Sequence, residues 1–232
     1  MNPSETSFKQ AGIIDIGAHS IRLEIYQFAL GGRVEVLERM SREVNLGFDV
    51  FRQGVITPAN VNLTCEIMLG FARRLREYGV TECRAVATSA VREAGNRELL
   101  LDRIFLACGI RVEILESQEE ARLLYSGVKK LLVQRNEFPR GQVLCFAIGT
   151  GSLIVMFVKD GLLRFGETTA LGSVRMFDEL GKLEIKPERI LDLLESQELK
   201  LRLVQTAGYD PGKPCAVIGI GAGVRAMLTL QG

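Results

Sequence analysis

The chain has 232 residues, 47% of them hydrophobic and 25% charged, which suffices for one large or two small domains with a sizeable core. Its 29 Lys and Arg balance 28 Asp and Glu, so the net charge of +1 provides no overall field for gathering nucleic acid or an anionic membrane. A single histidine, His19, excludes a His-rich zinc site.

In chain order, strand signals come first. Ala11 to Ile16 is an apolar run, and Ile21 to Tyr26 alternates apolar and polar residues. Gly31-Gly32 turns the chain into Arg33–Met40, which predicts an antiparallel three-stranded start. Thr57-Pro58 fits an N-cap with a first-turn proline. Leu63, Ile67, Met68, Phe71, Leu75 and Tyr78 then recur at helical spacing until Gly79. A strand Cys83–Ala87, a short helix near Thr88–Glu93, a helix to about Cys108 and a strand Arg111–Leu115 follow. Ser117 to about Val133 reads as a helix with Ala121, Leu124, Tyr125, Val128, Leu131 and Leu132 on one face. The polar segment 134–142 (QRNEFPRGQ) is the best boundary, giving domains 1–133 and 134–232. Beyond it lie strands Val143–Ala147, Leu153–Val158 and Leu162–Thr169, the last two joined by a turn at Lys159-Asp160-Gly161. Helices near Gly172–Leu180 and after Pro187, a strand Ala216–Ile218 and a helix from Gly221 complete the expectation.

The five cysteines, Cys65, Cys83, Cys108, Cys145 and Cys215, form no C-x-x-C pair and read as small buried hydrophobes in a reducing compartment. The first ten residues, MNPSETSFKQ, lack the basic start and apolar core of a signal peptide, and no apolar run nears 18 residues. A cytoplasmic, membrane-free protein is expected.

The two halves begin alike. Residues 15–23 read D-I-G-A-H-S-I-R-L and residues 147–155 read A-I-G-T-G-S-L-I-V, with Gly17/Gly149 and Ser20/Ser152 in register. Two strand-turn-strand starts, each followed by further strands and helices, predict a duplicated α/β architecture with a cleft between the halves. Tight glycine hairpins aim several backbone N–H groups at one spot, which suits phosphate. The candidate phosphate contacts are Gly17, Ala18, His19 and Ser20 in the first loop and Gly149, Thr150, Gly151 and Ser152 in the second. Gly221 joins them from the run Gly219-Ile220-Gly221-Ala222-Gly223. The bland reading of each loop is that glycine serves the turn, and His19 likewise.

Three charged residues have two readings each. Asp15 suits a magnesium ion beside a phosphate chain, or hydrogen bonds to the turn amides. Ala147 stands at the equivalent position of the second half and binds nothing. Glu120 suits a general base on a cleft water, or a capping box with Ser117. Arg92 suits a phosphate clamp, or a solvated helix face beside Glu93.

At these residues the sequence resembles the Ppx/GppA family, the exopolyphosphatases and guanosine pentaphosphate phosphohydrolases of the actin-like ATPase superfold. The matching segments run in order along nearly the whole chain: Asp15-Ile16-Gly17 with Ser20, Arg22 and Leu23; Leu46-Gly47 with Gly54; Ala87-Thr88-Ser89-Ala90-Val91-Arg92 with Ala94 and Asn96; Glu119-Glu120-Ala121-Arg122-Leu123; Ile148-Gly149 with Gly151-Ser152; Leu171-Gly172-Ser173-Val174-Arg175; and Gly219, Gly221 and Gly223. The resemblance implies duplicated actin-like (ribonuclease H-like) domains, hydrolysis of terminal phosphate from polyphosphate or guanosine pentaphosphate, and polyphosphate or guanosine penta- or tetraphosphate as the partner. It implies Glu120 as base, Arg92 neutralising charge, Mg2+ near Asp15, and pairing into homodimers. Two departures stand out. The family's second loop reads D-I-G-G-G-S-T-E, and here both acidic positions are filled by Ala147 and Ile154. The chain also stops just after the third glycine motif, so an incomplete second domain is expected. Three functions follow: a phosphatase; a relative that binds polyphosphate or an alarmone, or regulates a partner, without turnover; and a sugar kinase or ATPase, against which the Arg92 and Glu120 segments argue.

Overall fold

The computed structural model describes residues 8–29, 32–134, 141–173, 175, 208–210 and 212–221. Packing divides the chain into two units, 1–115 and 116–232. The expected boundary at 133/134 lies eighteen residues later, because the helix that precedes it packs on the second sheet.

The first unit holds a five-stranded sheet in the order β3-β2-β1-β4-β5, built from β1 (Lys9–Ile16), β2 (Ser20–Phe28), β3 (Val34–Glu43), β4 (Glu82–Ala87) and β5 (Val112–Ile114). β1, β2 and β3 are antiparallel, as the alternating patterns predict, while β4 and β5 run parallel to β1. Alternation puts Ile14 and Ile16 on the covered face with Ile21, Leu23 and Ile25 of β2, all at most 1% exposed. Helix α2 (Pro58–Glu77) and helix α4 (Arg97–Cys108) contribute Met68, Phe71, Leu100 and Ile104 to this core. Thr57 caps α2 as expected, its Oγ1 accepting from the Asn60 N–H at 3.4 Å. The buried stripe of α2 runs through Val61, Thr64 and Cys65, however, and leaves Leu63 39% exposed.

Helix α1 (Leu46–Gln53) has no counterpart in the sequence expectation. It is short, begins Leu-Gly, and its N-cap Asn45 makes no side-chain capping bond, so it carries none of the usual start signals. Helix α3 (Ser89–Glu93) matches expectation. Side chains clamp the α1–α2 turn. Asp49 Oδ2 accepts from the Thr57 N–H, the Thr57 hydroxyl and the Asn60 amide, and Asn96 pairs with both backbone groups of Ile56.

In the second unit, β6 (Gln142–Ile148), β7 (Leu153–Lys159), β8 (Leu162–Thr169) and β9 (Cys215–Ile220) form a sheet in the order β8-β7-β6-β9. β6, β7 and β8 are antiparallel and β9 is parallel to β6, repeating the β3-β2-β1-β4 arrangement. The Asp160-Gly161 turn has positive φ at both residues, the two-residue hairpin geometry its sequence announces. β7 is apolar from Leu153 to Val158, and its side chains enter a core on each face. Helix α5 (Ser117–Gln134) packs on one face through Ala121 and Tyr125. Leu131 of its expected apolar face is half exposed. The expected helices near 172–180, after Pro187 and from Gly221 lie outside the described residues, apart from isolated positions. Among the described residues no helix is long and apolar enough to cross a membrane. All five cysteines are free. Cys65 and Cys145 are buried as expected, and burial pushes the Cys145 thiol up to about 11. Cys83 is instead exposed: it shares the face of the buried Ala85 and Ala87 but stands at the start of β4, before that face is covered.

Candidate functional site: two braced glycine loops

In the first unit, the hairpin between β1 and β2 closes when the Gly17 N–H donates to the Ser20 carbonyl at 3.0 Å. The Gly47 N–H donates to the Ala18 carbonyl at 2.8 Å, and the Val44 N–H to the His19 carbonyl at 2.9 Å. Two carbonyls of the turn, those of Ala18 and His19, are thus held from behind, and none of these bonds uses the N–H of Ala18, His19 or Ser20. Gly47 permits the approach, since a Cβ there would sit 2.8 Å from the Ala18 Cβ. Ala18 is buried, while His19 is exposed.

The second unit builds the same device. The Gly149 N–H donates to the Ser152 carbonyl at 2.9 Å, and the Ser173 N–H donates to the Gly149 carbonyl at 3.0 Å. Arg175 Nε reaches the Gly151 carbonyl at 3.3 Å. A Cβ on Gly172 would lie 2.2 Å from the Gly151 carbonyl carbon and 2.4 Å from the Ser152 nitrogen, so only glycine fits against this loop. Gly221 follows β9 with φ of 105° and stands against the Ile148 carbonyl, beside the same loop. Gly151 and Ser152 are buried, and Gly149 is exposed.

Both loops lie at the carboxyl ends of their parallel strands, where open α/β sheets collect ligands. At that edge of the first unit, the Thr88 N–H donates to the Ile16 carbonyl and the Leu115 N–H to the Ala87 carbonyl, which brings the start of α3 and the end of β5 to loop 1. Arg92, on α3, donates a guanidinium N–H to the Leu115 carbonyl. It is therefore part of this edge rather than a solvated helix face. Asp15, next to last in β1, stands directly opposite Arg22. Burial raises its pKa above 3.8, with the Arg22 charge opposing.

At the edge of the second unit, the Thr168 hydroxyl donates to the Ser117 carbonyl at 3.3 Å. Thr168 pairs with Ile154, next to the pair of Thr169 and Leu153 at the foot of loop 2. The first turn of α5, with Glu120, is thereby set at the loop 2 end of the sheet. The Glu120 N–H donates to the Glu116 carbonyl at 2.9 Å, so Glu116 occupies the N-cap position and Ser117 is already helical. The capping box with Ser117 as cap therefore gives way to a helix that starts one residue earlier. A cavity of about 660 Å³ opens beside Ser117, Arg122, Arg164 and Glu167, but no residue of loop 2 lines it.

The donor set is poor for a metal. Mg2+ takes oxygen ligands, commonly one or two carboxylates with the remainder water or phosphate. Asp15 supplies one carboxylate at the foot of loop 1. Its counterpart Ala147 supplies none, and Ile154, the partner of Ala147 across the ladder, is 6% exposed in an apolar cluster. Among the described residues no three His, Cys, Asp or Glu side chains come together. Among the described residues, loop 2 and the strand pair beneath it supply no carboxylate, so they do not fit a magnesium site built by the protein itself.

A model of the Ppx/GppA phosphatase family matches residues 25–198, three-quarters of the chain. The chain belongs to this family. Exopolyphosphatase 1 of Mycobacterium leprae is 25% identical over 224 residues, covering 95% of this chain and 64% of the relative. A guanosine-5'-triphosphate,3'-diphosphate pyrophosphatase of Aliivibrio fischeri is 26% identical over 173 residues, covering 75% of this chain and 33% of the relative. The crystal structure of the Aquifex aeolicus Ppx/GppA family member superposes with a TM-score of 0.75 at 26% identity, over 97% of this chain and 70% of that one. The chain thus spans less than two-thirds of the length of these two relatives. The two sheets are the actin-like α/β fold of the Ppx/GppA family.

Sequence reasoning missed the braces. In the sequence Leu46-Gly47 and Leu171-Gly172 are motif residues with no role of their own. The recurrence of Leu-Gly in each half, 29 residues after Gly17 and 22 after Gly149 when counted to the Leu, is the signal that could have found them.

Proposed function

We propose that this chain binds phosphoanhydride ligands through the amides of its glycine loops, each unit presenting one, the ligand being inorganic polyphosphate or the phosphates of a guanosine penta- or tetraphosphate. The observation that carries this reading is the glycine hairpin built twice, each closed by a Gly N–H on a Ser carbonyl and braced at two further carbonyls by residues outside the turn. The names of the relatives, exopolyphosphatase and guanosine-5'-triphosphate,3'-diphosphate pyrophosphatase, support the substrate class.

Turnover on this reading is hydrolysis of the terminal anhydride. Water attacks the terminal phosphorus in line, and the bridging P–O bond breaks. The shortened chain leaves with the electron pair, and the Glu120 carboxylate takes a proton from the water. Arg92 adds positive charge at the edge of the first unit, and the loop amides stabilise charge on the phosphoryl oxygens. No step runs through magnesium. A homodimer in the cytoplasm belongs to the same proposal.

A second reading, a relative that holds the phosphate chain without turnover, is favoured by one observation. The two positions that are acidic in the family pattern are an apolar cross-strand pair, Ala147 and Ile154. The test is phosphate release from polyphosphate and from guanosine pentaphosphate by the parent chain, Glu120→Ala and Ala147→Asp. Release by the parent that vanishes in Glu120→Ala supports the hydrolase. A silent parent that binds both ligands supports the second reading. Release that survives in Glu120→Ala removes Glu120 from the mechanism.

A further inference from the structure

The disagreement between the family's metal chemistry and these residues has a physical outcome, which rests on the reading of the loops as anion sites. Ala147 and Ile154 face each other at the foot of loop 2. Both side chains belong to the apolar layer of Ala121, Tyr125, Val143, Cys145 and Met156, with Leu124 packed against it. Among the described residues, loop 2 itself carries the hydroxyls of Thr150 and Ser152 and its backbone amides, with the Arg175 guanidinium on the Gly151 carbonyl, and Glu120 is the carboxylate set at the same end of the sheet. N–H dipoles, hydroxyls and a guanidinium attract a bare polyanion more strongly than one whose charge a divalent cation has already neutralised. A carboxylate pair at the foot of the loop would reverse that order, since two acids beside a polyphosphate need a cation between them.

We propose that loop 2 takes its phosphoanhydride ligand in the metal-free form, so that Mg2+ competes with the protein for the ligand. Replacement of both acids by hydrocarbon turns a site that requires the cation into one that is opposed by it.

The experiment is calorimetric titration of the purified chain with sodium tripolyphosphate, once in EDTA and once with Mg2+ in excess over the ligand. A parallel arm uses GTP to separate the inorganic from the nucleotide source of the same phosphate chain. The expected result is binding in EDTA that weakens several-fold with Mg2+, for whichever ligand binds. Binding that needs Mg2+, or is tightened by it, overturns the inference while leaving the loops as anion sites. Binding in neither condition overturns the loop reading and the inference with it. The double substitution Ala147→Asp with Ile154→Glu sharpens the result. Where it folds, as judged by circular dichroism, Mg2+ is expected to strengthen its binding. A folded double variant that still prefers EDTA overturns the assignment to these two positions. The parent titration stands by itself if the variant fails to fold.

Discussion

Loop 1 and loop 2 are the same backbone object on different foundations. Each closes by a Gly N–H to a Ser carbonyl three residues on, at 3.0 and 2.9 Å, and each is held from behind by a segment that begins Leu-Gly. The cross-strand pair beneath loop 1 is Asp15 with Arg22; beneath loop 2 it is Ala147 with Ile154. Corresponding positions are offset by 132 residues throughout: 15 and 147, 17 and 149, 20 and 152, 22 and 154. The geometry that presents amides to an anion is therefore separable from the side chains that manage charge beneath it. One half keeps a carboxylate opposite an arginine, and the other has hydrocarbon at both positions.

The strongest way to break the comparison is at the braces. Gly172→Ala places a Cβ within 2.4 Å of loop backbone that cannot swing aside, and is expected to cost about 3 kcal/mol of stability and to abolish tripolyphosphate binding at loop 2. Gly47→Ala meets mainly side-chain atoms, of Ala18 and Phe51, and regains helix propensity. Its expected cost is about 1 kcal/mol. Urea unfolding of the two variants measures the difference, and equal costs would show that the braces are not distinct. Asn96→Ala leaves the buried Ile56 backbone without its two partners and is expected to cost about 2 kcal/mol, confined to the unit that holds loop 1.

The foundations give a pH-dependent test. Burial holds the Asp15 pKa above that of the unfolded chain, so ionised Asp15 disfavours folding. Its contribution is most favourable below 3.8 and is lost as pH rises through the folded value. Asp15→Asn is therefore expected to be more stable than the parent at neutral pH, with the gain disappearing in acid. A gain that persists in acid would show that packing, not ionisation, is responsible. Away from both loops, the Thr64 hydroxyl on α2 is fully buried without a hydrogen-bond partner. Thr64→Val is expected to add about 1 kcal/mol, read as a raised urea midpoint.

Most of the strands were legible because alternation and glycine turns are local signals; β1, β2, β6, β7 and β8 fall within a few residues of expectation. Helix α1 was not, since eight residues beginning Leu-Gly with an unbonded Asn45 cap offer neither length nor a start signal. The assignment of α5 to the second unit was not legible either. An apolar stripe such as Ala121 and Tyr125 says that a helix is covered, not which sheet covers it. The boundary was therefore read after α5 instead of before it. Leu63 was placed on the core side of α2 because it is apolar, whereas the helix turns Thr64 and Cys65 inward instead. For the site, the glycine turns could be read from the residues and Asp15 kept its two readings, while Glu120 and Arg92 had two readings each. Contacts with the Glu116 and Leu115 carbonyls moved both away from the blander one.

Helix α5 is fastened to the β7–β8 hairpin along its length. The Ser117 carbonyl accepts from Thr168 at one end, and both Tyr125 Oη and Lys129 Nζ donate to the Gly161 carbonyl further along. Gly166 lets the Ala121 methyl settle directly on β8 between those points. In hydrogen-exchange terms, helix and hairpin should open as one cooperative block, their amides sharing a single opening free energy. A helix so fastened keeps Glu120 in fixed register with the strands that carry loop 2, and loosening the Gly161 turn would release both together.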